Sequence, residues 1–139
     1  MIIAIRISGM IDVPKPVQEA LFRLRLRRKY AAVILKPSNE TLKLLKKLRN
    51  LIAYGDISKE TLAELIEKRA QPLNKQTKID PKTIIESLEK KNLKELGIKP
   101  FFRLHPPRGG IESKKHFGVG KGVLGDNKEK INDLVKRML

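Results

Sequence analysis

The stretch Ile2-Ile3-Ala4-Ile5-Arg6-Ile7, closed by Ser8-Gly9, decides the fold of this chain. Four isoleucines in six positions form a short β-branched run that only Arg6 interrupts, and such a run predicts a buried strand. Pro14 and Pro16 follow it. Because proline is tolerated in the first turn of a helix, this pair predicts that a helix begins there.

The apolar residues of this first helix lie at helical spacing. Val17, Ala20, Leu21 and Leu24 share one stripe, as expected for a helix that packs one face on a sheet. Phe22 and Leu26 lie off the stripe. Either the helix is buried on two sides, or it ends before Leu26.

The same alternation of strand and helix repeats further along the chain. Ala31–Leu35 is a second apolar run, stopped by Lys36-Pro37, and Ser38 or Asn39 can cap the helix that follows. A brief third strand is predicted at Ile52-Ala53-Tyr54-Gly55. The order β-α-β-α-β within residues 1–58 predicts an α+β core, a small sheet with helices against a face.

Residues 59–139 are predicted to be a mainly helical extension of this core, in the same structural unit. Ser58 caps a helix over Lys59–Arg69, and Asp80-Pro81 begins another. Phe101–Leu104 is predicted to be extended. The chain from His105 to Gly125 is predicted to be a loop, which makes up most of a basic loop at 103–125. Asp126 and Glu129 form a capping box for a last helix with a stripe of Ile131, Leu134, Val135 and Met138.

The charge balance limits the choice of partner. With 31 Lys and Arg against 15 Asp and Glu, the net charge of +16 repels itself unless a polyanion neutralises it. No apolar run approaches the roughly 20 residues that span a bilayer, and the first ten residues lack a secretory signal, so nucleic acid is favoured over membrane. The missing leader and the absence of cysteine favour a cytoplasmic location. The abundance of Lys and Glu is compatible with a thermophilic source.

The bases concentrate in two places. Between Leu21 and Tyr30 there are five bases and no acid, and between Pro100 and Gly122 there are five bases and one acid. Arginine forks pair with phosphate oxygens, and Gly109-Gly110 after two prolines allow backbone N–H groups to approach a phosphate. The alternatives are a solvated helix face for the first cluster and a plain surface connection for the second. The predicted RNA contacts are Arg23, Arg25, Arg27, Arg28, Lys29, Arg103, His105, Arg108, Gly109, Gly110, Lys114, Lys115, His116 and Lys121.

The sequence contains no complete catalytic motif. The segment Gly118–Gly122 is similar to a phosphate-binding loop, but Lys115 stands where its first glycine belongs and Gly122 where its hydroxyl belongs. His105 and His116 have no thiol partner for zinc and no neighbouring nucleophile. We therefore expect no enzyme activity, no cofactor, no metal and no small-molecule substrate.

Several motifs together resemble a known family. They are IIAIRISG at 2–9, LFRLRLR at 21–27, IAYG at 52–55, LIEKRA at 65–70 and, most specific of all, RLHPPRGG at 103–110 followed by KKHF at 114–117. In this order, over nearly the whole chain, they resemble ribosomal protein thirty of the large subunit in its archaeal form, which is related to the eukaryotic protein numbered seven.

The resemblance implies a three-stranded sheet with two helices, a variant of the ferredoxin-like fold, plus a helical C-terminal extension. It also implies a structural role in the large ribosomal subunit and in its assembly: contact with large-subunit rRNA near the five-S RNA, and with neighbouring ribosomal proteins. The end of the first helix and the segment Arg103–Phe117 are carried over as RNA contacts. The segment 78–99 is shorter than in many relatives, so contacts made there are not assumed. A free-standing regulator that binds RNA or DNA with the same basic faces remains the alternative.

Overall fold

The computed structural model describes residues 1–7, 9, 13–73, 80–88, 95–120 and 122–139, with the backbone alone at 112–114. The elements in chain order are β1 (Ile2–Arg6), α1 (Lys15–Arg23), β2 (Ala31–Leu35), α2 (Asn39–Lys47), β3 (Ile52–Asp56), α3 (Lys59–Arg69), α4 (Pro81–Ser87), β4 (Phe102–Arg103), β5 (Glu112–His116), β6 (Gly122–Asp126), a 3₁₀ turn (Lys128–Lys130) and α5 (Ile131–Met138). Among the residues described, no helix has both the length and the apolar composition needed to cross a membrane.

The strands form one mixed sheet in the order β4-β2-β1-β3-β6-β5. β1 lies near its centre, antiparallel to β2 and to β3, so that Ile3 is opposite Ile34 on one side and Gly55 on the other. β4 adds to β2 antiparallel, and β6 adds to β3 parallel. The two edges of the sheet are therefore made by β4 and β5.

Helices cover both faces of this sheet and form a core on each. Because successive side chains of a strand point to opposite faces, those of β1 alternate between the two cores. Ile3, Ile5 and Ile7 pack in a core with residues of α3, α4 and α5. Ile2 and Ala4 pack in the other core, with residues of α1 and α2. A strand buried on both faces has a continuous apolar run instead of a polar-apolar alternation, which explains the sequence of β1.

Three of the predicted helix starts are confirmed by side-chain caps. The hydroxyl of Ser38 accepts from the N–H of Thr41 (3.1 Å), and that of Ser58 accepts from Thr61 in the same way (3.2 Å). Asp80 accepts from the N–H of Lys82. α1 ends early, at Arg23, and Leu26 is fully buried in the turn beyond it. Phe22 remains 39% exposed, so α1 is buried on one side only.

The α+β class is confirmed, but two predictions about the sheet were wrong. Within the described residues the sheet has six strands and not three, because β4, β5 and β6 of the C-terminal part extend both of its edges. The predicted loop contains β5 and β6. β6 has the sequence Gly-Val-Leu-Gly-Asp, whose glycines disfavour a strand locally, but Val123 and Leu124 are buried in the core with α5. In β6, tertiary packing therefore outweighs the low strand propensity of the glycines.

The predicted capping box at Asp126 and Glu129 was also wrong. The carboxylate of Asp126 accepts from the N–H of Lys128 (2.9 Å), two residues on, which makes a turn that leads into the 3₁₀ segment. Asn127, which no sequence motif singled out, is buried and donates to the carbonyls of Val123 (2.7 Å) and Gly125 (3.1 Å). This amide fixes the path from β6 into α5.

Candidate nucleic-acid interface

The turn between α1 and β2, residues 24–30, carries most of the first basic cluster and is named here the basic turn. The backbone enters the left-handed region twice within it, at Arg25 (φ 65°) and at Tyr30 (φ 66°). The N–H groups of Arg25 and Leu26 return to the carbonyls of Phe22 (3.0 Å) and Leu21 (2.9 Å). These bonds bury Leu26 and leave the side chains of Arg25, Arg27, Arg28 and Lys29 exposed.

Arg6 of β1 holds the basic turn from below. Its guanidinium is fully buried and donates to the carbonyl of Leu26 (2.8 Å), and it also donates to the carbonyl of Gly9 (3.1 Å). Its own carbonyl accepts from the N–H of Tyr30 (2.6 Å). Burial lowers the pKa of Arg6, but arginine stays charged at neutral pH because its ordinary pKa is so high. One residue thus fixes two points of the turn.

β4 brings part of the second basic cluster to the same place. Arg103 of β4 pairs with Ala31 of β2, directly after the basic turn. The N–H of Leu104 donates to the carbonyl of Tyr30 (3.1 Å). The segments 25–31 and 99–104 therefore lie side by side, although they are far apart in the sequence.

Between these two segments runs a groove of about 710 Å³, named here the β4 groove. Twelve of the described residues line it; six of these are cations, and none of the twelve is an acid. The cations are Arg25, Arg27, Arg28, Lys29, Lys99 and Arg103. The other six are apolar or aromatic: Tyr30, Ala31, Leu73, Pro100, Phe101 and Leu104. The positive charge therefore surrounds an apolar surface.

Two aromatic rings of the groove lie beside cations. The ammonium of Lys29 is 5.1 Å from the centroid of the Tyr30 ring, and the guanidinium of Arg103 is 5.7 Å from that of Phe101. Both distances are within the range of cation–π attraction. The rings and the charges thus occupy one small area.

The RLHPPRGG motif lies against the end of α5. The N–H groups of His105 and Arg108 donate to the carbonyls of Met138 and Arg137 (both 3.0 Å). The guanidinium of Arg108 donates to the carbonyl of Lys136 (3.1 Å), and Arg137 in turn donates to the carbonyls of Arg108 and Gly110. The His105 and Arg108 side chains are exposed, so they remain open to a partner while the backbone is held.

The remaining predicted contacts are dispersed. Arg23 is exposed in the last turn of α1, and Gly109 and Gly110 are exposed with positive φ. Lys115 and His116 are exposed on β5, the edge strand opposite β4, and are not brought into the groove. The side chain of Lys114 and all of Lys121 lie outside the described residues. In the part of the chain that is described, no three His, Asp or Glu side chains meet as a metal site.

Sequence reasoning missed the contribution of five residues to this site. Lys99 and Leu73 line the groove, and Tyr30 and Phe101 supply its rings. Arg6 was treated only as an interruption of a strand. An arginine within an apolar strand was the available signal, because a buried cation needs several acceptors.

Known proteins similar to this chain cover nearly its whole length. The family model described as "Ribosomal protein L30p/L7e" matches residues 2–52, which contain β1, β2, α1, α2 and Arg6. The large ribosomal subunit protein uL30 of Nanoarchaeum equitans is 39% identical over 153 residues, covering 96% of this chain and 96% of the relative. The chain belongs to the L30p/L7e family. This confirms the resemblance inferred from the motifs.

Two further members of the L30p/L7e family agree. The uL30 proteins of Staphylothermus marinus and Aeropyrum pernix are 38% and 36% identical, and each comparison covers 97% of this chain and 96% of the relative. Because the similarity extends over nearly the full length, it includes β4, the RLHPPRGG motif and α5. The basic turn and the β4 groove are both within it.

Proposed function

We propose that this protein is a structural constituent of the large ribosomal subunit that binds and stabilises folded large-subunit rRNA, and that it is not an enzyme. We propose further that the chain folds as one unit around a ferredoxin-like β-α-β-α-β core. The cytoplasmic ribosome is its location, and the five-S RNA and neighbouring ribosomal proteins lie near it. Membership of the L30p/L7e family supports this proposal.

One observation carries the proposal for RNA: among the residues that the structure describes, six cations and no acid line the β4 groove. Without a counter-charge this concentration of positive charge disfavours the folded state, and phosphates relieve it. Five of the six belong to the basic turn or to β4, whose positions are fixed by backbone hydrogen bonds and by Arg6. The backbone that carries these charges is therefore held in place before RNA arrives, which lowers the entropic cost of binding.

The rest of the predicted contacts form a second, weaker part of the proposal. His105, Arg108, Gly109 and Gly110 continue from β4, and Lys115 and His116 extend the basic surface to the β5 edge. Lys114 and Lys121 are proposed as contacts from their sequence positions alone. Contacts to phosphate and 2′-hydroxyl groups should dominate, because the grooves of A-form RNA hide base edges from side chains.

Co-sedimentation tests the proposed function. The tagged protein should sediment with large subunits in high-magnesium buffer, and an Arg25→Gln/Arg103→Gln variant should move to the soluble fraction. A matched Lys46→Gln/Lys47→Gln variant changes two exposed cations on α2, outside the groove, and should sediment as the unmodified protein does. If the unmodified protein stays soluble, the ribosomal role is wrong and the free-standing regulator is preferred.

A further inference from the structure

The β4 groove is poorly suited to the backbone of an RNA duplex alone. Phosphates of a duplex need cations on an accessible surface, and they gain nothing from an apolar floor. Six of the groove's lining residues are nevertheless apolar or aromatic, and its volume of about 710 Å³ is in the range of small-ligand sites. If an RNA duplex covered the groove, these apolar and aromatic residues would face trapped water.

A single nucleotide has the complementary chemistry. Its base is flat and largely apolar on its faces, and its phosphates are anionic, so it needs an apolar surface and cations within a short distance of each other. The Phe101 and Tyr30 rings, each beside a cation at 5.7 Å and 5.1 Å respectively, provide this combination. Stacking of a base on an aromatic ring tolerates any base, because every base has a π face.

The walls of the groove are already fixed in the free protein. Arg6 and the bonds within the basic turn hold one wall, and the pairing of Ala31 with Arg103 holds the other. The exposed side chains of Arg25, Arg27 and Arg28 line the groove from the basic turn. A ligand entering the groove therefore meets a preformed site.

We propose that the β4 groove binds one unstacked, single-stranded nucleotide of the RNA, with its base on the ring of Phe101, in the groove that Tyr30 also lines, and its flanking phosphates on the arginines of the basic turn and Arg103. This deepens the proposed function and rests on it. It adds a preference for a bulged or looped-out residue within an otherwise folded RNA.

The absence of tryptophan from the chain makes a direct test possible. Phe101→Trp places a sole tryptophan in the groove, and Phe117→Trp is a matched control near the opposite sheet edge, where Lys130 lies 6.0 Å from the ring of Phe117. Each variant of the full chain is titrated with an RNA hairpin that has one bulged nucleotide and with the same hairpin fully paired.

We expect the bulged RNA to quench the fluorescence of the Phe101→Trp variant at one RNA per protein and the paired RNA to leave it nearly unchanged. The fluorescence of the Phe117→Trp variant should respond equally to both RNAs. Phe101→Leu, which keeps an apolar side chain but removes the ring, should bind the bulged RNA roughly tenfold more weakly and the paired RNA unchanged. Tyr30→Leu should also weaken binding of the bulged RNA. If the melting curve shows that one of the two leucine variants is misfolded, the other still tests the proposal.

Equal responses of the Phe101→Trp variant to the two RNAs, or equal affinities of Phe101→Leu and the unmodified protein for the bulged RNA, would overturn the proposal. If the unmodified protein still sediments with large subunits, only the nucleotide site is then wrong. If it neither sediments nor binds either RNA, the proposed function itself fails.

Discussion

The guanidinium of Arg6 is buried beneath the surface that it positions. Because its hydrogen bond to Leu26 and the bond from Tyr30 to its carbonyl fix two points of the basic turn, the exposed arginines depend on a residue that RNA does not reach. A buried charge is costly unless its donors are satisfied, so Arg6 contributes through hydrogen bonds and not through charge alone.

Arg6→Met should therefore lower the free energy of unfolding by about 1–3 kcal/mol, because it removes the donor to a buried carbonyl. Hydrogen exchange at the amides of residues 26–31 should accelerate as well. Arg27→Met is the control; this side chain is exposed, and its loss should change stability by less than about 0.5 kcal/mol. Urea unfolding and exchange measurements check both, and equal stability of the two variants would show that Arg6 does not hold the turn.

Gly55 is a second residue on which the packing depends. A methyl group at this position would meet the carbonyl oxygen of Lys128 and lie 2.9 Å from Cβ of Ile131, so only glycine lets α5 approach β3. Gly55→Ala should destabilise the protein by about 1–3 kcal/mol or more. At Gly9 a Cβ has no heavy atom of the described residues within 4 Å, so Gly9→Ala serves as the control in thermal melting. Equal melting temperatures would contradict the observed packing.

At the level of elements, the sequence was sufficient to predict those elements whose structure depends on interactions within one segment. Ser38, Ser58 and Asp80 mark helix starts because their side chains cap the backbone of the same helix. β5 and β6 escaped prediction because β6 is a strand through its pairing with the distant β3, and β5 pairs in turn with β6; the glycines of β6 give no strand signal.

The candidate site was predictable in composition but not in geometry. The arginines of the basic turn and Arg103 were identified by charge, yet nothing in the local sequence shows that Ala31 pairs with Arg103. For this reason the groove, its two rings and Lys99 appeared only in the structure. The contribution of Arg6 likewise depends on a contact with Leu26, 20 residues away.

The contact between Arg108 and α5 changes what a substitution there means. From the sequence alone, Arg108→Ala is expected to weaken RNA binding without affecting the fold. Because its guanidinium also donates to the carbonyl of Lys136 at the end of α5, we expect a loss of about 0.5–1.5 kcal/mol in stability as well. Faster amide exchange at Val135–Leu139 would reveal this loss. Unchanged exchange with reduced RNA affinity would assign Arg108 to RNA alone.

At the level of the whole molecule, the net charge of +16 is distributed over a small framework with a core on each face of its sheet. This arrangement places the apolar cores and the exposed cations in different parts of the molecule. The apolar cores hold the sheet together, and the cations of the basic turn and β4 lie at one edge, where phosphates can reach them.

The salt dependence of RNA affinity tests most directly whether these cations act by neutralising phosphates. With roughly 6–10 phosphates neutralised, affinity should fall about 10³–10⁵-fold between about 50 and 200 mM salt. Replacing Arg25, Arg27, Arg28 and Arg103 by Gln should reduce the slope of log affinity against log salt by about three, while Lys46→Gln/Lys47→Gln should leave it unchanged. A flat salt response of the unmodified protein, or equal slopes for the fourfold variant and the unmodified protein, would contradict this account.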